Sequence, residues 1–158
     1  MITAKDKGII HTLAAKTATI AALPLQEKKR ELWRRLNAKK PSRPMVMIDQ
    51  VCWNEMNIGD ELTLQCEDKE CRGYEEKLRR TLYQWEHFPV DMVVEPFIRV
   101  QKAVHNTGFG IRSVDHVAVS DPTNSVVGHA YTNQFEKDED LEKIQMPVIT
   151  HDTAETAR

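Results

Sequence analysis

The chain has 158 residues, 41% of them hydrophobic and 29% charged, with a formal net charge of −2. That is length enough for one ordinary domain and the composition of a globular chain, and the near-neutral balance offers no long-range field to attract nucleic acid or anionic lipid. No run approaches the roughly 20 apolar residues that a membrane span needs, and the opening "MITAKDKGII" lacks the basic-then-apolar run of a secretory signal, so the expectation is a cytoplasmic protein with no membrane or nucleic-acid partner.

Ile9, Leu13 and Ile20, with the alanines between them, suit one face of a helix from about Ala4 to Ala22. Pro24 pushes Leu23 out of the helical region and interrupts it. A second helix follows in "QEKKRELWRRLNAKK", with Leu32, Trp33 and Leu36 on one side and dense charge on the other. Its Glu31 and Arg35 have the four-residue spacing of a supportive ion pair. The interleaved acids make "KKRELWRR" a solvated helix face, not a nucleic-acid patch. Pro41 and Pro44 end this helix.

Met45 to Ile48 is an unbroken apolar run that ends in Asp49. Such a run suits a strand covered on both faces, as in a parallel sheet. The stretch "DELTLQCED" after Gly59 fits strand or helix equally. From Lys69 to Phe88 the helical spacing returns in Tyr74, Leu78, Leu82 and Trp85, and Pro89 stops it. His87, at that helix end, is placed to favour the dipole. Met92 to Val94 then repeats the earlier pattern and ends in Glu95. Strand, helical connection, strand predicts a right-handed crossover between two parallel strands. Asp49 and Glu95 then share the carboxyl rim, where parallel α/β folds bind ligands.

Beyond Val100 the character changes. "GFGIRSVDHVAVSD" and "NSVVGHAYTNQF" read as two extended segments around a turn at Asp121–Asn124. "GFGIR" has neither GxGxxG nor a Lys-Ser/Thr pair, so its glycines serve a turn and not a phosphate. "EKDEDLEKI" reads as a short acidic helix before "MPVITHD". The histidines 105, 116, 129 and 151 show no metal-ligand spacing. The three cysteines, Cys52, Cys66 and Cys71, are odd in number and irregularly spaced, which suits reduced structural thiols better than a disulfide framework or a zinc ribbon.

The blocks "LWRRLNAKKPSRPMVMIDQVCW", "LRRTLYQWEHFPVDMVVEPF", "NTGFGI" and "DLEKIQMP" together resemble the amino-terminal part of the uroporphyrinogen decarboxylase superfamily. They resemble most its uncharacterised decarboxylase-like branch, related to the methyltransferases that work with corrinoid proteins or thiols. The resemblance implies an α/β fold: a partial (β/α)8 TIM barrel with amino-terminal helices, the first two parallel strands and a β-hairpin insertion. Residues 1–40 are then a helical extension, and 41–158 the truncated first part of the barrel. A whole barrel typically needs about 250 residues, so the expectation is a chain inactive by itself that self-associates through an open edge.

The same resemblance bears on chemistry. In the decarboxylase an Arg-Gln-Ala-Gly-Arg segment follows the first strand and holds the substrate's carboxylates. Here Asp49-Gln50-Val51-Cys52-Trp53 stands in that place and keeps only Gln50. An acid in place of a bidentate arginine repels a polycarboxylate, so porphyrinogen decarboxylation is the poorer alternative. The methyltransferase type fits better, with Asp49 and Glu95 as catalytic acid–base residues and Gln50 and Trp53 lining the substrate pocket. It implies a small-molecule substrate, a corrinoid protein as partner, and cobalamin and zinc as cofactors of the whole enzyme. The family's zinc ligands, a His-x-Cys and a later Cys, have no counterpart in this chain, so no metal ligand is expected here. A non-catalytic binding or assembly module built on the same fold is the third alternative.

Overall fold

Thr3 starts the first helix, α1 (Ala4–Ala21), through a capping box: its hydroxyl accepts from the Asp6 N–H at 3.0 Å, and the Asp6 carboxylate accepts from the Thr3 N–H at 3.1 Å. Pro24 occupies the first position of α2 (Pro24–Asn37), where a missing N–H costs nothing. A single turn, α3 (Trp53–Met56), precedes α4 (Lys69–His87), which Asp68 caps. The computed structural model describes residues 2–120, 122 and 127–157. The chain divides into two compact units, Met1–Ile98 and Arg99–Arg158.

In the first unit α1 packs on α4. Two buried carboxylates tie the segment before α4 to both helices. Glu75 accepts from the Gln65 and Cys66 N–H groups at 2.9 and 2.8 Å and from the Arg79 guanidinium at 2.8 Å. Burial pushes Glu75 up, and these donors more than reverse it, so the net shift is downward. Asp6 accepts from the Glu67 N–H at 2.9 Å. That bond, with the Thr3 hydroxyl, lowers Asp6 to about 2. All three cysteines are free thiols, Cys66 and Cys71 buried and Cys52 exposed. Desolvation pushes the Cys66 thiol up to about 12.

The expected α/β barrel start is corrected by the structure. Neither 45–48 nor 92–94 is a strand, there is no parallel pairing among the described residues, and the two sheets are two-stranded and antiparallel. The physical reason lies in where the backbone groups go. One backbone bond links the two runs, from the Asp91 N–H to the Val46 carbonyl at 3.1 Å. Three further backbone groups of the runs are taken by side chains, the Val46 N–H by Asp91 Oδ2 at 2.9 Å, the Ile48 carbonyl by the Gln84 amide, and the Val94 N–H by Gln26 Oε1 at 3.0 Å, while the Met92 N–H turns back to the Pro89 carbonyl. The first run is not covered on both faces either, since Val46 is 50% and Met47 65% exposed.

In the second unit β1 (Val104–Asn106) pairs with β4 (Ile149–His151), and β2 (Asp115–Ala118) with β3 (Gly128–Tyr131). The turn expected at 121–124 lies outside the described residues, Pro122 apart. A 3₁₀ helix spans Asp138–Lys143, and a last turn, α5 (Thr153–Thr156), is capped by Asp152. Gly110 has φ +79, and a Cβ there would meet the Lys143 carbonyl at 2.9 Å. The loop therefore needs glycine for both conformation and space. No described residue of this unit is buried. No single helix of the described chain is long and apolar enough to cross a membrane.

Candidate functional site

Helix α2 organises the region around the two apolar runs. Gln26, fully buried, bridges the Ile20 carbonyl to the Val94 N–H, and Trp33 Nε1 donates to the Asp91 carbonyl at 2.8 Å. Asp91, itself buried, receives both the Arg43 guanidinium and the Val46 N–H. The guanidinium first, and the N–H second, lower its carboxyl to about 2. Lys29 lies buried on the same helix with its ammonium 5.1 Å from the Trp85 ring centroid, and burial lowers its pKa.

These contacts leave a cleft of about 590 Å³ lined by Arg30, Trp33, Asn37, Met47, Val93 and Glu95, among others. The volume is within the range of small-ligand sites. Arg30 holds Glu95 at 3.1 Å and Glu27 at 3.1 Å, and the two carboxylates raise its pKa. The expected Glu31–Arg35 pair is not formed. Arg34 bonds Glu27 and lies 3.7 Å from Glu31, while Arg35 turns to the Pro41 carbonyl.

The four residues singled out in the sequence fall in different places. Glu95 lines the Arg30 cleft, and Met47, two residues before Asp49, lines it too. Asp49 and Gln50 are exposed on the segment that follows. Trp53 begins α3 and faces a second cleft, of about 260 Å³, with Asn57, Leu64, Glu76 and Arg80. Its ring meets Tyr83 edge-on at 6.1 Å and carries the Arg80 guanidinium at 5.2 Å. A third cleft, of about 530 Å³, runs between α1 and α4 over Leu13, Ile20 and Leu82 and includes none of the four.

Chemically, the first cleft presents the Glu95 carboxylate and the guanidinium groups of Arg30 and Arg34 beside an apolar wall of Trp33, Met47 and Val93. Such a surface can hold a small polar molecule and give or take a proton at Glu95. Arg30 and Asp91 were not singled out in the sequence. Their partners lie 65 and 48 positions away, and no local spacing signals such pairs. A zinc site of the family kind does not fit the residues present. Among the described residues one group of ligating side chains could hold an ion, His105, Asp152 and Glu155, and it contains no thiol. The chain matches no family model, no curated protein and no solved structure.

Proposed function

We propose that the chain is part of a uroporphyrinogen decarboxylase-like enzyme of the corrinoid-linked methyltransferase type, and that it does not turn over alone. One observation carries the reading. Two of the segments that carry the resemblance, around Met45–Asp49 and Met92–Glu95, lie side by side, joined by the Asp91–Val46 backbone bond, with Met47, Val93 and Glu95 on one cleft. In this reading Glu95 and Asp49 supply the acid–base groups, and Arg30 orients Glu95 through their 3.1 Å ion pair. Gln50 lies on the exposed segment beside Asp49, and Trp53, on its own cleft, takes no part in the reading. Cobalamin belongs to a corrinoid partner, and no residue of the chain is assigned to hold it. The decarboxylase alternative is disfavoured because Asp49 would repel a porphyrinogen's carboxylates.

The test is methyl transfer from methylcobalamin to a thiol. We expect no turnover by the 158 residues alone, and turnover by the product of the whole reading frame if that frame runs past Arg158 into a His-x-Cys and a further Cys. An in-frame stop at that point, or an extended product without activity, would contradict the proposal.

A second reading, a non-catalytic assembly module, draws on a different observation. Among the described residues the buried apolar side chains are Leu13, Ala21, Cys66, Cys71, Leu78 and Val94, whereas Ile58, Val100 and Met146 are among many large ones left exposed. Such a module would form a stable complex without any methyl transfer.

A further inference from the structure

A unit of some 60 residues with no buried side chain among those described needs another source of order. Two-stranded ribbons are marginal in water, and domains too small for a core turn to disulfides, metals or association. Residues 99–157 contain no cysteine, which removes the disulfide. They do contain a convergent set of metal-ligating groups.

His105 stands on β1, Asp152 follows β4, and Glu155 stands on α5. One ligand atom from each lies within 4.8 Å of the others. Strand register assembles the set. β1 and β4 pair His105 with Thr150 and Val104 with His151, and the Asp152 N–H extends the ladder to the Ala103 carbonyl at 2.9 Å. The imidazole is thus brought to the carboxylates from the other end of the unit.

The carboxylate of Asp152 is already oriented. Its Oδ1 accepts from the Glu155 N–H at 2.8 Å, while Oδ2 faces His105 Nε2 at 3.6 Å. A bond to the outer oxygen is how ligating carboxylates are commonly fixed. The 3.6 Å gap is too wide for a hydrogen bond. It is the separation of two ligands that share an ion: at about 2.1 Å from each, they subtend roughly 118°. Glu155, exposed on α5, closes the rest by side-chain rotation. Two carboxylates and one imidazole thus converge on one point.

We propose that His105, Asp152 and Glu155 bind one divalent first-row transition ion that clips β1 to the β4–α5 end of the unit. One nitrogen and two oxygen ligands suit Zn²⁺ and leave a fourth position for water. The imidazole selects against Mg²⁺ and Ca²⁺. Because the ligands converge only in the folded unit, ion binding stabilises that unit by mass action. This site is independent of the methyl-transfer reading.

The test is a Zn²⁺ titration of the whole chain carrying Cys52→Ser, which removes the exposed thiol. We expect saturable binding of one ion, a shift of the His105 imidazole resonances, and slower proteolysis of 99–157. His105→Ala and Asp152→Asn should each weaken binding at least tenfold. Asparagine keeps the α5 cap, so the second variant separates ligation from folding, and the isosteric Glu155→Gln provides a further check. Mg²⁺ and Ca²⁺ should not compete. No saturable uptake, or uptake that survives His105→Ala and Asp152→Asn unchanged, would overturn the proposal.

Discussion

The Arg43 guanidinium spans both oxygens of the buried Asp91 carboxylate, 48 positions along the chain, and the same carboxylate accepts the Val46 N–H. This contact fastens the segment after α2 to the segment after α4. Asp91→Asn removes the charge and the bidentate bond but keeps an acceptor for Val46. Hydrogen bonds to charged groups are worth about 1.5–3 kcal/mol, so stability should fall by about 2 kcal/mol. The urea midpoint, followed by tryptophan fluorescence, reads this directly, because Trp33 bonds the Asp91 carbonyl.

Acid should act on the same contacts. Asp91 and Asp6 both sit at about 2, below the ordinary 3.8. A carboxyl lowered by folding adds stability above its unfolded value and loses it as pH falls toward its folded value. The chain should therefore lose stability between about pH 4 and about pH 2. Urea midpoints across that window should fall, and more steeply for the wild type than for Asp91→Asn.

Val90 carries φ +31 between the end of α4 and Asp91. A β-branched residue there is strained. Left-handed backbone costs an L-residue roughly 1–2 kcal/mol, against about 0.5–1 kcal/mol for the added freedom of glycine when unfolded. Val90→Gly should therefore raise the urea midpoint slightly, by the equivalent of about 0.5–1 kcal/mol. A marked fall would show that the side chain's contacts outweigh the strain.

Gly110→Ala should have the opposite sign. It meets both a positive φ and the Lys143 carbonyl. The bond from the Gln145 N–H to the Phe109 carbonyl, 2.8 Å, holds that approach. Amide exchange at Gln145 should speed up by tenfold or more, equivalent to about 1.4 kcal/mol, while exchange in α4 stays unchanged.

The helices were legible because periodicity and proline stops are local. Leu13 and Leu78, expected on inward faces, are buried, and prolines 24, 41 and 89 bound the helices. The glycine turn at 108–110 was legible for the same reason. What misled was the pair of apolar runs. An unbroken run signals a strand only when neighbouring backbones accept its hydrogen bonds. Here the side chains of Gln26, Gln84 and Asp91 take them. At the cleft, Glu95 could be singled out as an acid after such a run, but its tie to Arg30 depends on how α2 lies against residues 65 positions away. Asp49 shares a rim with Glu95, and Trp53 lines their pocket, only if the two runs are parallel strands; here Asp49 is exposed and Trp53 faces another cleft.

The most direct measurement is the methyl-transfer rate of the whole reading-frame product, with methylcobalamin as donor and a thiol as acceptor, comparing the wild type with Asp49→Asn/Glu95→Gln. General acid–base groups contribute about 10²–10⁴-fold, so the double variant should fall by at least about 100-fold. An unchanged rate, or no methyl transfer by the wild type, would contradict the account.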